Sequence, residues 1–103
     1  MSGSNYGANP ETANRILEVI REKVDKHGFW EARSLSQTIV KEVKLSEKTV
    51  QHYLRVLKSL GFIAMTKVKR REQLGWEKVD RMKLLRPNHV VVKDGRRFMA
   101  IEP

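Results

Sequence analysis

Ser34-Leu35-Ser36-Gln37-Thr38-Ile39-Val40-Lys41-Glu42-Val43-Lys44-Leu45-Ser46-Glu47-Lys48-Thr49-Val50, continuing Gln51-His52-Tyr53-Leu54-Arg55-Val56-Leu57-Lys58-Ser59-Leu60-Gly61-Phe62-Ile63, is the stretch on which the reading of this chain turns. It holds two helical patterns joined by a tight corner. In the first, Leu35, Ile39, Val40 and Val43 supply an apolar face. Ser34 opens it, and Gln37 stands three residues later at the spacing of a capping box. Lys44-Leu45 makes the corner. Ser46 caps a second helix over 46–60, where Val50, Tyr53, Leu54, Leu57 and Leu60 share one face and Gly61 ends the run. Burying that face leaves Lys48, Gln51, His52, Arg55 and Ser59 outside.

Upstream, Asn9-Pro10-Glu11 combines an N-cap side chain, a proline at the first helical position and an acid near the positive end of the helix dipole. Ala13, Ile16, Leu17, Ile20 and Val24 follow at helical spacing, and Lys26-His27-Gly28 reads as the stop. Phe29 to Arg33 reads as a short extended piece, an edge strand. Residues 1–8, Met-Ser-Gly-Ser-Asn-Tyr-Gly-Ala, read as a flexible tail with neither region of a signal peptide, so the protein is expected to stay where it is made.

Downstream of Gly61 the pattern changes. Phe62 to Arg70 favours strand, Gln73-Leu74-Gly75-Trp76 carries a turn signal, and Lys78 to Leu85 returns Met82, Leu84 and Leu85 to the core. The result is a long β-hairpin; a helix over 70–82 is the competing reading, since Arg, Glu, Gln, Leu and Lys dominate there. Pro87-Asn88 punctuates the chain. His89-Val90-Val91-Val92 and Arg97 to Ile101 then flank Asp94-Gly95, a second hairpin signal. A two-residue turn at Asp94-Gly95 pairs Val91 with Phe98 and Val90 with Met99. The expected organisation is a tail (1–8), a three-helix domain with a hairpin (9–87), and a C-terminal β-hairpin (88–103) packed on that domain or on a second subunit.

The chain has 103 residues, a net charge of +9 and no cysteine. So basic a small protein attracts polyanions, nucleic acid first and an acidic membrane surface second. The excess is uneven: residues 1–60 carry 10 Lys/Arg against 7 Asp/Glu, and residues 61–103 carry 11 against 5. Absence of cysteine excludes disulfides, thiol catalysis and Cys-based zinc sites. His27, His52 and His89 lack metal-ligand spacing, so neither metal nor cofactor is expected. No phosphate loop, Gly-x-Ser-x-Gly or His-Glu-x-x-His is present, which points away from an enzyme. No apolar run is long enough to span a bilayer.

The order helix, short strand, helix, tight turn, helix, Gly, hairpin resembles the winged helix-turn-helix superfamily of small prokaryotic and archaeal DNA-binding proteins, in the broad MarR/ArsR/PadR-like sense. The carrying residues are the Leu-Ser-x-x-Thr-Val entry at 45–50 and the Leu-x-x-Leu-Gly-Phe-Ile exit at 57–63. The resemblance covers 9–85 in outline and 34–63 closely. It departs at Lys44, where the family often has glycine. It implies an α+β fold, three helices and a β-hairpin wing with the C-terminal hairpin added, that binds double-stranded DNA.

On that reading the helix 46–60 enters the major groove, with Gln51 and Arg55 able to pair with adenine and guanine edges. Ser46, Lys48, Thr49 and His52 complete the helix's candidate contacts, the first three nearer phosphate or the groove wall. The wing candidates are Lys67, Lys69, Arg70 and Arg71, set to meet phosphates or a neighbouring minor groove. The blander readings stand beside these: a charge run as solvated surface, and Trp30 and Trp76 as packing residues, Trp76 the more interesting for its place near the wing tip.

The leading function is a homodimeric transcriptional regulator, cytoplasmic and nucleoid-associated, with the first helix and the 88–101 hairpin as candidate dimer surfaces and no small-molecule ligand evident. A second reading is a plasmid or viral centromere-binding, partition or replication-accessory protein that spreads on DNA; a cysteine-free chain rich in Lys, Arg, Glu and Val also suits an archaeal thermophile. A third is an RNA-binding or protein-docking member of the same fold.

Overall fold

The computed structural model describes residues 9–103, which form an α+β arrangement of three helices and two antiparallel sheets. The tail expected over 1–8 lies outside the described residues. In chain order the elements are α1 (Pro10–Lys23), β1 (Phe29–Ala32), α2 (Leu35–Val43), α3 (Glu47–Ser59), β2 (Ile63–Glu72), β3 (Gly75–Leu84), β4 (Val90–Asp94) and β5 (Arg97–Ile101). One sheet has the order β1-β3-β2, with β1 at an edge; the other is the β4-β5 hairpin. Among the described residues no helix is long and apolar enough to cross a membrane.

α1 starts as expected: the Asn9 side chain accepts from the Thr12 N–H at 2.8 Å, and proline follows. It stops earlier, at Lys23, before the Lys26-His27-Gly28 signal. The reason is Asp25. Its carboxylate accepts the N–H groups of His27 (2.8 Å) and Phe29 (3.0 Å), while its backbone bonds Phe29 and Gly28, closing a turn that leads into β1. The Phe29 and His27 amides hold the Asp25 carboxyl below its ordinary range. Gly28, at φ +82°, lets its carbonyl accept from Leu84 at 2.8 Å; a Cβ there would stand 3.2 Å from the Leu84 carbonyl oxygen.

Leu35, Ile39 and Val43 of α2 are buried, as the spacing predicts. The capping box does not form. Ser34 makes no side-chain cap bond, and Gln37, which would complete the box, donates instead to the Glu47 carboxylate at 3.1 Å. Lys44 ends α2 in the left-handed region (φ 58°, ψ 43°), the conformation glycine would adopt without strain. Its N–H still reaches the Val40 carbonyl at 2.8 Å, and Arg15 bonds the Val43 carbonyl at 3.1 Å, so the end of α2 is satisfied.

α3 is the spine of the core. Val50, Tyr53, Leu54 and Leu57 are buried, and the Tyr53 hydroxyl accepts the Asn9 N–H at 2.8 Å, tying α3 to the start of α1. Ser46 accepts from the Thr49 N–H at 3.2 Å. At the other end Phe62 N–H bonds the Leu57 carbonyl (2.9 Å) and Gly61 N–H the Lys58 carbonyl (3.1 Å), with Gly61 at φ +80°. That is the Schellman pair, with Leu57 and Phe62 both buried.

Residues 70–82 are strand, not helix: β2 and β3 pair continuously from Ile63↔Leu84 to Glu72↔Gly75 around Gln73-Leu74. Ile63, Met82 and Leu84 face the core, but Leu85, expected there, is 48% exposed just past the strand end. The C-terminal hairpin also departs from expectation. Its turn is Gly95-Arg96, with Asp94↔Arg97, so Val91 pairs with Ala100 and Val90 with Ile101. Gly95, at φ +64°, sits first in the turn, where the type II′ geometry wants glycine. Each partner moves by two residues, which keeps the faces the expected pairing gives: Val91, Phe98 and Ala100 pack against the core, and Val90, Val92, Met99 and Ile101 lie outward. The Asn14 amide accepts from Val91 N–H (2.8 Å) and donates to its carbonyl (2.9 Å), while Arg21 donates to the Pro87 and His89 carbonyls. α1 thus carries the second sheet.

Candidate nucleic-acid interface

Two elements with unfinished chemistry face each other. The first is the outer side of α3. Lys48, Gln51 and Arg55 are exposed along one stripe, with Lys58 and Ser59 at its far end. From Lys48 to Arg55 is about 10 Å of helix rise, within the width of a major groove. His52 is half-buried and sits edge-on to the Tyr53 ring (centroids 5.7 Å apart). Ser46 and Thr49 are occupied at the cap, where their hydroxyls also bond each other at 2.9 Å.

Glu47, which the sequence reading passed over, organises the start of α3. Its carboxylate accepts from Gln51 (3.3 Å), Gln37 (3.1 Å) and Ser36 (3.4 Å). It therefore holds one candidate base-reading side chain in place and joins α2 to α3 on their outer surface. The signal was present: Glu47 and Gln51 are four apart on one helical face.

The second element is the β2–β3 hairpin. Because its register is unbroken, alternation sorts its side chains onto two faces. One holds Ile63, Met65, Met82 and Leu84 and continues through Lys67, Asp80, Lys69, Lys78, Arg71 and Trp76. This is the side turned to α3: Met65 and Asp80 line a cleft of about 290 Å³ with Ser36, Gln51, Leu54, Arg55 and Lys58. The opposite face holds Arg70, Glu72, Glu77, Val79, Arg81 and Lys83, joined from β1 by Phe29 and Glu31.

The four cations expected to act together are thus divided. Lys67, Lys69 and Arg71 look toward the α3 side, and Arg70 looks away, opposite Glu77 in register. Lys78, unforeseen, joins the first group; its place follows from parity once the turn is located. Lys67 is held by Asp80 at 2.8 Å.

The outer face is nearly neutralised. Arg33, just past the end of β1, bonds Glu72 and Glu77 (3.0 Å), tying the outer part of the hairpin to the edge strand. Its hydrogen bond with Glu77, and then the Arg33 guanidinium, hold the Glu72 carboxyl below the usual carboxylate range, and the same two acids raise Arg33. Arg81 lies over the Phe29 ring, 3.9 Å from its centre, and 3.3 Å from Glu31. On the outer face Arg33, Arg70, Arg81 and Lys83 stand against Glu31, Glu72 and Glu77, whereas on the α3 side Lys67, Lys69, Arg71 and Lys78 stand against Asp80 alone, so the larger positive excess lies on the α3 side.

Beyond the Val68–Val79 pair the hairpin runs on for about 20 Å to its tip. There Leu74 is fully exposed and Trp76 is 67% exposed, so Trp76 is not the packing residue its type suggests; Trp30, in contrast, is in the core. Among the described residues no group of three or more His, Asp or Glu is placed to hold a metal ion. Compared with protein-family models, with curated proteins and with solved structures, the chain matches none.

Proposed function

We propose that this chain is a winged helix-turn-helix protein that binds double-stranded DNA, α3 reading the major groove and the β2–β3 wing holding the backbone beside it. The observation that carries the reading is the shared orientation of two surfaces. Gln51 and Arg55 of the exposed Lys48–Gln51–Arg55 stripe line a cleft with Met65 and Asp80, on the same hairpin face that Lys67, Lys69, Arg71 and Lys78 continue, and the acids of the wing lie mostly on the other face. Such an arrangement suits a duplex lying across both, with Gln51 and Arg55 at base edges and the wing cations at phosphates.

The protein acts most simply as a homodimeric transcriptional regulator. Support for self-association comes from the outward face of β4–β5, where Met99 and Ile101 are 41% and 38% exposed beside the half-buried Val90 and Val92. Two-fold pairing would set two reading helices about 34–36 Å apart on a palindromic site.

Selection of bound fragments from random duplex DNA, with a matched RNA pool in parallel, tests this. The expected product is a short palindrome from the duplex pool. Enrichment from the RNA pool alone refutes the duplex reading, and direct repeats with progressive coverage replace a regulator by a spreading or partition protein. Arg55→Ala should relax preference at one or two positions; if preference is intact, α3 is not the reader.

A further inference from the structure

We infer that the wing tip is an apolar wedge: Leu74, supported by Trp76, enters the minor groove next to the α3 site and opens a base step, kinking the duplex. The inference rests on the DNA-binding reading above and adds to it a deformation of the DNA.

Three observations converge. Leu74 and Trp76 are the two most exposed large apolar side chains of the described residues, and both stand within two positions of the hairpin tip. A lone exposed leucine needs no explanation, but this one occupies a two-residue hairpin turn. The turn does not ask for leucine: Gln73 and Leu74 keep negative φ and the positive φ falls on Gly75 (+135°), so glycine meets the backbone demand while the Leu74 side chain, fully exposed, has no packing return.

The surroundings choose the occupant. Along the arm the tip is flanked on the α3 side by Lys69, Arg71 and Lys78, cations suited to the phosphates that line a groove. Trp76 faces Arg71 across the strands, on the side turned to α3, so it looks toward the same duplex. The reach fits as well: the arm's length of about 20 Å past the Val68–Val79 pair, braced on its outer face by Arg33, compares with about 17 Å, half a helical turn, between a major groove and the next minor groove. Leucine is among the side chains that unstack base steps when driven into a minor groove, and kinks of about 20–90° result.

The test uses the full chain and a short mixed-sequence duplex carrying a donor and an acceptor dye at its two ends. Binding of the unaltered protein should raise energy transfer between the ends. Leu74→Ala should bind only about three- to tenfold more weakly, because unstacking offsets most of what burying a leucine gains, while most of the bend is lost. Leu74→Met, which keeps a flexible apolar side chain, should restore it. Leu74 is solvent-exposed, so an unchanged circular dichroism spectrum is expected for both variants. A bound duplex that stays straight, or a bend that survives Leu74→Ala, overturns the wedge while leaving DNA binding intact. A variant that changes sedimentation of the free protein but not the bend assigns the tip to self-association instead. No binding to duplex at all would remove the parent reading along with the wedge.

Discussion

The two faces of the β2–β3 wing make a quantitative prediction about salt. Lys69, Arg71 and Lys78 point to the α3 side and have no carboxylate bonded to them, whereas Arg70 points away, opposite Glu77. Each phosphate contact releases counterions and contributes about 0.9 to the slope of log affinity against log salt. Replacing the three cations by alanine together should therefore flatten that slope by about 2.7. Between about 50 and about 200 mM salt, the unaltered protein would then lose about 40-fold more affinity than the triple variant. Arg70→Ala should leave the slope nearly unchanged. Fluorescence anisotropy with a labelled random-sequence duplex at several salt concentrations reads both. All four residues are exposed, so folding should be unaffected, and circular dichroism checks it. Equal slope changes for Arg70→Ala and Lys69→Ala would refute the division of the wing into a DNA side and an outer side. An unchanged slope in the triple variant would refute phosphate binding by the wing altogether.

Asp80→Asn removes the carboxylate that holds Lys67 within the cleft, so the salt slope should steepen by about 0.9 as Lys67 becomes available to phosphate; the same anisotropy titration would detect it. Tyr53→Phe leaves the Asn9 N–H without its partner and should cost about 1–2 kcal/mol in urea denaturation, with DNA-site preference unchanged. The Glu72 carboxyl lies below its ordinary 4.5 in the folded chain, so its contribution to stability is present above that value and lost as pH falls through the folded one. Thermal melts should accordingly show Glu72→Gln less stable than the parent near neutrality and converging with it in acid; a gap that persists at low pH would dissolve the Arg33 clamp as its cause. Asn14→Leu should free the β4–β5 hairpin from α1 and speed hydrogen exchange at Val91, whose N–H and carbonyl the amide holds.

The helices were legible because short-range chemistry specifies them: Asn9 and Ser46 cap as their types require, and the apolar spacing of α3 matches what is buried. Misreadings arose where a side chain had two available partners. Gln37 could cap Ser34 or reach Glu47, and only the fold brings Glu47 within 3.1 Å. The stop of α1 was likewise decided by Asp25, whose carboxylate found two amides in the following turn before the Gly28 signal was reached. In the second hairpin a one-residue move of the turn changed every partner by two, since Gly95 fits the turn's first position and leaves Asp94 to the strand, and the two faces were kept. The candidate site followed the same pattern. Exposure of Lys48, Gln51 and Arg55 was readable from helical period, and alternation separates Arg70 from Lys69 and Arg71 once those residues are strand; which of the two faces turns to α3 needed the fold.

That separation bears on how the protein would meet DNA. A net charge of +9 spread evenly would draw a duplex to any side and leave orientation to chance. Here Arg33 with Glu72 and Glu77, and Arg81 with Glu31, cancel on the outer face of the sheet, while Lys69, Arg71 and Lys78 stay free on the other. Field lines from the free cations converge on the cleft beside α3, where Arg55 and Lys58 add to them. On the proposed reading, a duplex approaching within a Debye length, about 8–10 Å at working salt, would be turned toward the face where Gln51 and Arg55 could test its bases. Asp80 and Glu47 work within that field as restraints: Asp80 engages Lys67 and keeps it from phosphate, and Glu47 holds Gln51 in place before any duplex arrives. On this view the acids of the interface matter as much as the bases: they decide where the charge is spent, and hence which surface reads.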